Sequence, residues 1–516
     1  MKSLGKGLLL GGVLLMILGV FHFGGSQTSA AAPTGTLKMA IHPNLSAEWL
    51  DPATVPSLDG TTHIALSSIH DALVKAMPQG DRTSCLAESW TMSPDYKVYE
   101  FKLRQGVRFH NGDTMTADDV LFSFWRNKSN YGKLIYDKVE KAEAINPYFV
   151  RFQFKEPFPD FVEYFSSGES TILWIVPKKY VEKVGDAGFK RNPIGAGPYK
   201  FVEFVPGVRL VVEAFDGYWR KVPHVKRIEF HTVPDPATRL AMLRRGEVDI
   251  AFLMTDVFYE DVKKDSKLKL LHPRSPGKMI LVMTTQWDPK SPWSDPRVRK
   301  AASLAIDRKT LADIHHPGTL PCGSIGLEGD PLLVEFPPDP YDPEQARKLL
   351  AEAGYPKGFH GGKFYPYDGP YRPYGEQIAT YWKAVGISVD TIFLERPAWM
   401  AARYGGKFAG STFLDATRGY VTIARRLDYL FSACCPGGNY PEIQAAWYQY
   451  KREFNPQVRK DLITRIQKMV HEKNMLIPLN QFCSPAALSL RVKGNPYKIQ
   501  PILWIPAPFE DIELEN

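Results

Sequence analysis

The sequence lacks the short motifs that mark common catalytic and cofactor sites. It contains no H-E-x-x-H, no G-x-S-x-G, no G-x-x-x-x-G-K-[ST] and no G-x-G-x-x-G. These are the patterns of zinc proteases, α/β-hydrolases and nucleotide sites. The glycine-rich segment Gly195–Tyr199 leads into strand-like residues, so we do not expect it to cradle a phosphate. We therefore predict a protein that is not an enzyme and needs no cofactor.

Metal-binding patterns are equally scarce. Cysteine occurs five times without a C-x-x-C pair, which excludes the usual zinc frameworks. Cys434 and Cys435 are adjacent, so a disulfide between them would be strained. Whether either pairs with a distant cysteine stays open. His315 and His316 precede Pro317, and because adjacent side chains diverge, we predict a solvated turn there rather than a metal site.

Charge of one sign does not dominate. The formal net charge is +8, but no run of five or more basic residues occurs, so we expect no nucleic-acid partner. Hydrophobic residues make up 44% and charged residues 23%, close to the globular average. At roughly 100–200 residues per domain, 516 residues predict about three domains.

Long hydrophobic runs are confined to the amino terminus. Lys2 and Lys6 precede an apolar run, Leu8–Phe23, and small residues that end in Ala30-Ala31-Ala32. This order is typical of a cleaved signal peptide, predicted here over residues 1–32. An uncleaved membrane anchor is the alternative, but the run is short against the ~20 residues that span a bilayer. No cysteine lies near the cut for lipid attachment, so we expect an exported protein of the periplasm.

Strand-like and helix-like segments alternate along the rest of the chain. Leu37–Ile41, Tyr99–Leu103, Phe149–Phe154 and Arg209–Glu213 have the pattern of strands, and a further strand is predicted at Met279–Thr284. This alternation with helices predicts an α/β fold.

Helix starts are clearly marked. Thr116 resembles the N-cap of a capping box, and Asp295-Pro296 and Asp342-Pro343 place a capping carboxylate before a proline at the first helical position. A last long helix is predicted over Gln457–Glu472.

Several stretches together resemble one protein family. Leu86–Trp90, Ser93–Asp95 and Arg104–Asp119 are similar to the signature of family 5 extracellular solute-binding proteins, the receptors of dipeptide, oligopeptide and nickel ABC importers. Further matches follow in the family's order over essentially the whole mature chain: Pro193–Lys200, Asp216–Trp219, Arg239–Ile250, Asp295–Arg308 and Tyr341–Tyr355.

The resemblance implies a two-lobed periplasmic-binding-protein-like α/β fold with a hinge. It places the first lobe at 33–285, with a subdomain inserted at about 65–190, the second lobe at 286–480, and a return segment to the first lobe at 481–516. Ligand would bind between the lobes, which close around it. A monomer that hands a peptide or another small molecule to ABC permease subunits is implied.

The signature itself is expected to be structural, since Gly106 and Gly112 make turns, Trp90 and Phe109 pack, and Thr116 caps a helix. Specificity is therefore expected elsewhere in the chain.

In peptide-binding members of the family, an aspartate after a second-lobe strand pairs with the amino terminus of the ligand. Counted without gaps from Phe408, Arg418 falls at that position, with Asp415 three residues earlier and Tyr420 at the end of the loop. Either Asp415 takes the role, or the charge is reversed and Arg418 binds an anionic group. A third possibility places both on a solvated loop.

Two aromatic residues complete the predicted site. Trp399 follows a strand at Thr391–Leu394, where the family often has a pocket wall, and Trp49 lies beside the turn Leu50–Pro52. Packing against the lobe is an equal alternative for Trp399. The leading functional class is a receptor of an ABC importer, and the alternative is a secreted hydrolase with dispersed catalytic residues.

Overall fold

This computed structural model contains both strands and helices, as the sequence predicts. It describes residues 32–516 except 44, 55–61, 129–131, 133–134, 163–173, 273, 327–329, 367–370, 395–397, 400–401, 403–406, 409, 418–421, 425, 428–439, 484, 500–504 and 516. The predicted signal peptide therefore lies outside the described residues but for Ala32, as do Cys434 and Cys435.

The strands, in chain order, are β1 (Thr34–Ile41), β2 (Val74–Met77), β3 (Gly80–Ser84), β4 (Ala87–Met92), β5 (Val98–Leu103), β6 (Val139–Asn146), β7 (Phe149–Phe154), β8 (Tyr199–Val205), β9 (Arg209–Ala214), β10 (Val225–Thr232), β11 (Ile250–Ala251), β12 (Leu268–Leu271), β13 (Arg274–Met283), β14 (Phe359–Tyr365), β15 (Ile387–Thr391), β16 (Ser411–Thr417), β17 (Leu476–Cys483) and β18 (Ala486–Ser489).

The α-helices, numbered in the same way, are α1 (Thr62–Ile69), α2 (Ala117–Arg126), α3 (Lys178–Arg191), α4 (Pro236–Arg244), α5 (Tyr259–Lys264), α6 (Pro296–Leu304), α7 (Arg308–His315), α8 (Pro343–Glu352), α9 (Arg372–Ala384), α10 (Pro441–Arg452) and α11 (Pro456–Glu472).

Helix starts follow the predicted caps. The Asp295 carboxylate accepts the Arg297 N–H at 2.8 Å, and the Asp342 carboxylate accepts the Gln345 N–H at 2.9 Å. Each aspartate thereby satisfies an amide that has no partner inside the helix. The predicted caps of α6 and α8 are confirmed.

A seven-stranded sheet contains the first and the last strand of the described chain. Its order is β12-β18-β11-β1-β10-β9-β8, and β1 lies between two parallel partners, β10 and β11. The apolar residues of β1 are buried because helices and other segments cover the sheet.

A four-stranded antiparallel sheet, β4-β5-β7-β6, is formed by residues between β1 and β8, so it is an insertion in the chain of the first sheet. Its buried face is aromatic: the Phe152 ring lies 4.9 Å from Phe124 and 5.4 Å from Phe161. Phe109 of the signature is fully buried in the same cluster. The structural role predicted for the signature is confirmed.

The glycines of segment 195–199 allow two backbones to meet. A Cβ on Gly195 would lie 2.1 Å from the Ile69 carbonyl oxygen, and one on Gly197 would lie 2.5 Å from the Ile69 carbonyl carbon. Only glycine fits at that separation. Gly195 and Gly197 thus allow the segment before β8 to pack closely against the end of α1.

A five-stranded mixed sheet, β15-β14-β16-β13-β17, forms the second large body. Strands β16 and β13 run antiparallel, whereas β14 pairs in parallel with both β15 and β16. Helices α6 to α11 belong to the same stretch of chain, and buried side chains of α9 and α11 join its core.

Two local predictions need correction. The strand expected at Met279–Thr284 begins earlier, at Arg274, and ends at Met283, because the sheet continues to pair beyond the apolar run. His316 is not in a solvated turn: it is 5% exposed, packs on Tyr374 and Phe482, and has its Nδ1 3.1 Å from Asn480 Nδ2.

The fold class predicted from the sequence, two α/β lobes with an inserted subdomain, is confirmed. The exact lobe boundaries stay a prediction.

Candidate functional site

Two short links carry the chain between the seven-stranded and five-stranded sheets. β12 ends at Leu271 and β13 begins at Arg274, whereas β17 ends at Cys483 and β18 begins at Ala486. Each link is two residues long and contains a proline, at 273 and 485. Connections this short and adjacent are where one body can rotate against the other with few dihedral changes.

Next to these links lies the carboxyl end of β1. Because β1 has parallel partners on both sides, the chain connections diverge there, which is the position where open α/β sheets bind ligands. His42 follows β1 and stacks on Phe252, which follows β11, at 5.8 Å between ring centroids. Trp49 lies in the short 3₁₀ helix Ala47–Leu50 just beyond, and its side chain is outside the described residues.

The facing end of the five-stranded sheet contains buried charge. Asp415 on β16 has 0% exposure and Lys278 on β13 has 4%. Asp415 pairs with Ile280 across the ladder, and Lys278 pairs with Thr417. Since side chains alternate along a strand, Lys278 and Asp415 lie on one face as diagonal neighbours.

Buried charges of this kind are costly. Moving an ion out of water costs several kcal/mol in a protein unless an opposite charge or hydrogen bonds replace the solvent. Lys278 and Asp415 lie on one face of adjacent strands, so the charge of each can offset part of the cost of burying the other. The sequence reasoning missed Lys278; its one signal is a lysine at the start of an otherwise apolar strand, Met279–Met283.

The predicted aromatic wall residue is buried rather than exposed. Trp399 has 0% exposure, and its ring contacts Phe408 and Phe413 at 5.2 and 6.0 Å between centroids. Its indole N–H donates to the Tyr365 carbonyl at 3.3 Å. Trp399 thus packs against the five-stranded sheet, as the packing alternative expects, and ligand contact stays a prediction.

Of the remaining predicted residues, Asp415 lies on β16 and not on the loop, so a solvated position does not apply to it. Arg418 and Tyr420 are outside the described residues. The structure therefore brings Asp415 together with Lys278 and leaves the role of Arg418 a prediction.

The described part of the chain holds no group of three or more His, Cys, Asp or Glu side chains that could bind a metal ion. Within the same residues, no helix combines the length and apolarity needed to cross a bilayer.

Two α/β bodies joined by paired short links are the architecture of a two-lobed binding protein. The chain belongs to the bacterial extracellular solute-binding proteins, family 5, whose model matches residues 83–419. The family resemblance found in the sequence is thereby confirmed.

Individual relatives agree with this assignment. The chain is 33% identical over 285 residues to the glutathione-binding protein GsiB of Salmonella paratyphi A, covering 53% of each protein; the match thus spans about half of that relative. It is 27% identical over 486 residues to heme-binding protein A of Haemophilus influenzae, covering 85% of this chain and 86% of the relative.

Among solved structures, the fold is similar to the periplasmic binding protein DppA of Helicobacter pylori in complex with the peptide STSA. The TM-score is 0.79 at 22% identity, with 93% of this chain and 98% of that chain covered. At this identity the likeness concerns the fold alone.

Proposed function

We propose that the protein is the solute-binding receptor of an ABC importer. It captures a peptide-like or other small organic solute between its two lobes and delivers it to permease subunits. The observation that carries the proposal is the family 5 match on a chain whose two large sheets are joined by two short links. The family and the relatives named above are binding proteins, so nothing supports the alternative of a secreted hydrolase.

We infer the chemistry of the solute from three charged residues, Asp415, Lys278 and Arg418. Asp415 suits an ammonium group, whereas Lys278 and Arg418 suit carboxylates or other anionic groups, with Arg418 able to form two parallel hydrogen bonds. Trp49 and Tyr420 supply aromatic surface, and Trp399 holds the wall in place. One relative is named for glutathione and another for heme, so the family alone leaves the solute class broad.

Ligand capture is tested by mass spectrometry of small molecules co-purified with the native protein. Each candidate is then added back to washed protein, and the melting temperature is measured. We expect a saturable rise in melting temperature and unchanged ligand after prolonged incubation. Conversion of the ligand into a product would contradict the receptor and favour the hydrolase.

Hinge closure is tested by small-angle scattering with and without the identified ligand. Rotation of one body against the other should lower the radius of gyration on binding. A curve that does not change at saturation would count against closure.

Export is part of the same proposal. We expect a periplasmic, monomeric mature protein that begins near Ala30–Ala32, because Lys2, Lys6 and the apolar run have the order of a signal peptide. Sequencing the amino terminus of protein from a periplasmic extract, together with light scattering for its mass, checks both points. Membrane-bound protein that retains Met1 would refute cleavage.

A further inference from the structure

Besides the links, an ion pair joins the inserted four-stranded body to the second lobe. Asp160 follows β7 of the four-stranded sheet, and Arg459 lies on α11, just before β17 of the five-stranded sheet. The Arg459 Nη2 donates to Asp160 Oδ1 at 2.6 Å. The two side chains are 11% and 15% exposed, so this contact is largely shielded from water.

Arg459 is fixed within its own lobe before it meets Asp160. Its Nη1 donates to the carbonyls of Tyr450 and Glu453 at 3.0 and 3.1 Å, and its Nη2 donates to the Tyr450 hydroxyl at 2.8 Å. The guanidinium carbon lies 4.0 Å from the centre of the Tyr450 ring. Because these bonds already order the side chain, little rotamer entropy remains to be lost when Asp160 arrives.

Asp160 is equally fixed to the other body. It stands between Phe158 and Phe161, which are 6% and 0% exposed in the aromatic core. The Phe161 N–H donates to the Phe158 carbonyl at 3.1 Å, and the Phe158 N–H donates to the Tyr96 carbonyl at 3.0 Å. Neither end of the ion pair can follow the other if the bodies separate.

A neighbouring pair provides an internal comparison. Arg452 and Glu156 connect the same two bodies at 3.3 Å, but their side chains are 66% and 63% exposed. Exposed pairs contribute little because water and salt screen them. The shielded ion pair between Asp160 and Arg459 is therefore expected to contribute more than the exposed pair to holding the two bodies together.

We propose that Asp160 and Arg459 form a closure latch, a contact between the bodies that holds the lobes together without ligand. The inference rests on the hinge motion in the proposed function. Rotation of one body against the other about the links at 272–273 and 484–485 would separate the two ends of this ion pair. The latch then favours the closed form of the empty receptor and thereby changes the apparent affinity for any solute.

The test uses ligand-free protein, so it does not depend on the identity of the solute. Small-angle scattering is recorded for the wild type, for Asp160→Asn and for the matched control Glu156→Gln, and is fitted to closed and open forms. We expect Asp160→Asn to enlarge the radius of gyration and to lower the closed-to-open ratio about ten-fold. Glu156→Gln should change that ratio by less than about two-fold.

Melting curves of the three proteins show whether each is folded. If Asp160→Asn fails to fold, Arg459→Lys replaces it, since lysine keeps the charge but loses the fork that binds Tyr450 and Asp160; an intermediate enlargement is expected. Scattering of a folded variant that superimposes on the wild type would overturn the latch. If the wild type compacts on binding ligand but ligand-free Asp160→Asn scatters like the wild type, only the latch is refuted. If ligand-free Asp160→Asn is enlarged but the protein binds no solute, only the receptor function is refuted.

Discussion

The four-stranded sheet and the five-stranded sheet place their charges in opposite ways. In the four-stranded sheet, Lys102 and Glu88 pair at 3.1 Å with 55% and 51% exposure. In the five-stranded sheet, Lys278 and Asp415 are buried on one face of two adjacent strands. Exposed pairs are nearly neutral for stability, whereas buried charges cost free energy that must be recovered elsewhere.

The difference separates scaffold from site. A sheet with one wet face can keep its charges in water and fill its other face with aromatic rings, which is what stabilises the inserted body. We expect the buried charges of the five-stranded sheet to serve recognition of the solute instead. Four predictions test this division, beginning with the largest effect.

The aromatic core should dominate the stability of the inserted body. Phe152→Ala removes a fully buried ring that contacts Phe101, Phe124 and Phe161. We expect its free energy of unfolding to fall by about 3–5 kcal/mol, because the transferred ring and the cavity both cost energy. Urea denaturation measures the change, and ligand affinity without urea should stay within two-fold. A loss below about 1 kcal/mol would show that this core is not what holds the body together.

The charged residues of the predicted site should dominate affinity instead. If Asp415 binds an ammonium group, Asp415→Asn should weaken binding by about 2–5 kcal/mol, or roughly 30- to several-thousand-fold. If Arg418 binds an anionic group, Arg418→Ala should produce that loss and Asp415→Asn little. Calorimetry with the co-purified ligand separates the two outcomes.

Two results would contradict the assignment of this site. Wild-type affinity in both variants, within about 0.5 kcal/mol, would remove Asp415 and Arg418 from the site. Equal losses in the distant control Glu88→Gln would show that the effect is not local.

Acid should loosen the contact between the seven-stranded and four-stranded sheets. His110 accepts the Gly195 N–H at Nδ1 and donates from Nε2 to the Gly197 carbonyl, and burial lowers the pKa of His110 to about 3. Burial also lowers the pKa of His70 to about 3. Below about pH 6.5 these two histidines bind protons in the unfolded chain but stay neutral in the folded chain. Protons therefore favour the unfolded chain, and the stability that is present above about pH 6.5 is lost as the pH falls towards 3.

The measurement is the free energy of unfolding at pH 7 and pH 5. We expect a loss of about 1–2 kcal/mol for each histidine over this interval. His110→Gln can keep one donor and one acceptor without titrating, so it should flatten part of the slope. An unchanged slope in His110→Gln would contradict a neutral His110.

The smallest effect belongs to the exposed pair of the four-stranded sheet. Glu88→Gln should change the free energy of unfolding by less than about 0.5 kcal/mol, since both partners are half exposed. Urea denaturation in low and high salt checks this. A larger loss would mean that exposed ion pairs contribute to the free energy of unfolding of the inserted body.

Much of the scaffold could be predicted from local sequence. Strands such as Tyr99–Leu103 and the helix start at Asp295-Pro296 depend on alternation and capping, which act over a few residues. The motif Arg104–Asp119 could likewise be interpreted as turns, packing and a cap. These predictions agree with the structure because the cause and its effect lie close together in the chain.

The candidate site was less accessible to sequence reasoning. Lys278 gave little signal, because a lysine at the start of an apolar strand is usually expected to reach water. Trp399 was expected either at a pocket wall or packed against the lobe, and its ring is enclosed by Phe408 and Phe413. Both outcomes depend on which strands and segments become neighbours.

The sequence by itself determined the α/β class, the family and the main helix starts. Tertiary structure decided that β12–β13 and β17–β18 cross between the sheets side by side, that Lys278 shares a face with Asp415, and that Asp160 meets Arg459. Each of these pairs residues far apart in the chain. Local periodicity specifies which face of an element is apolar, but only the packing of whole sheets specifies what that face meets.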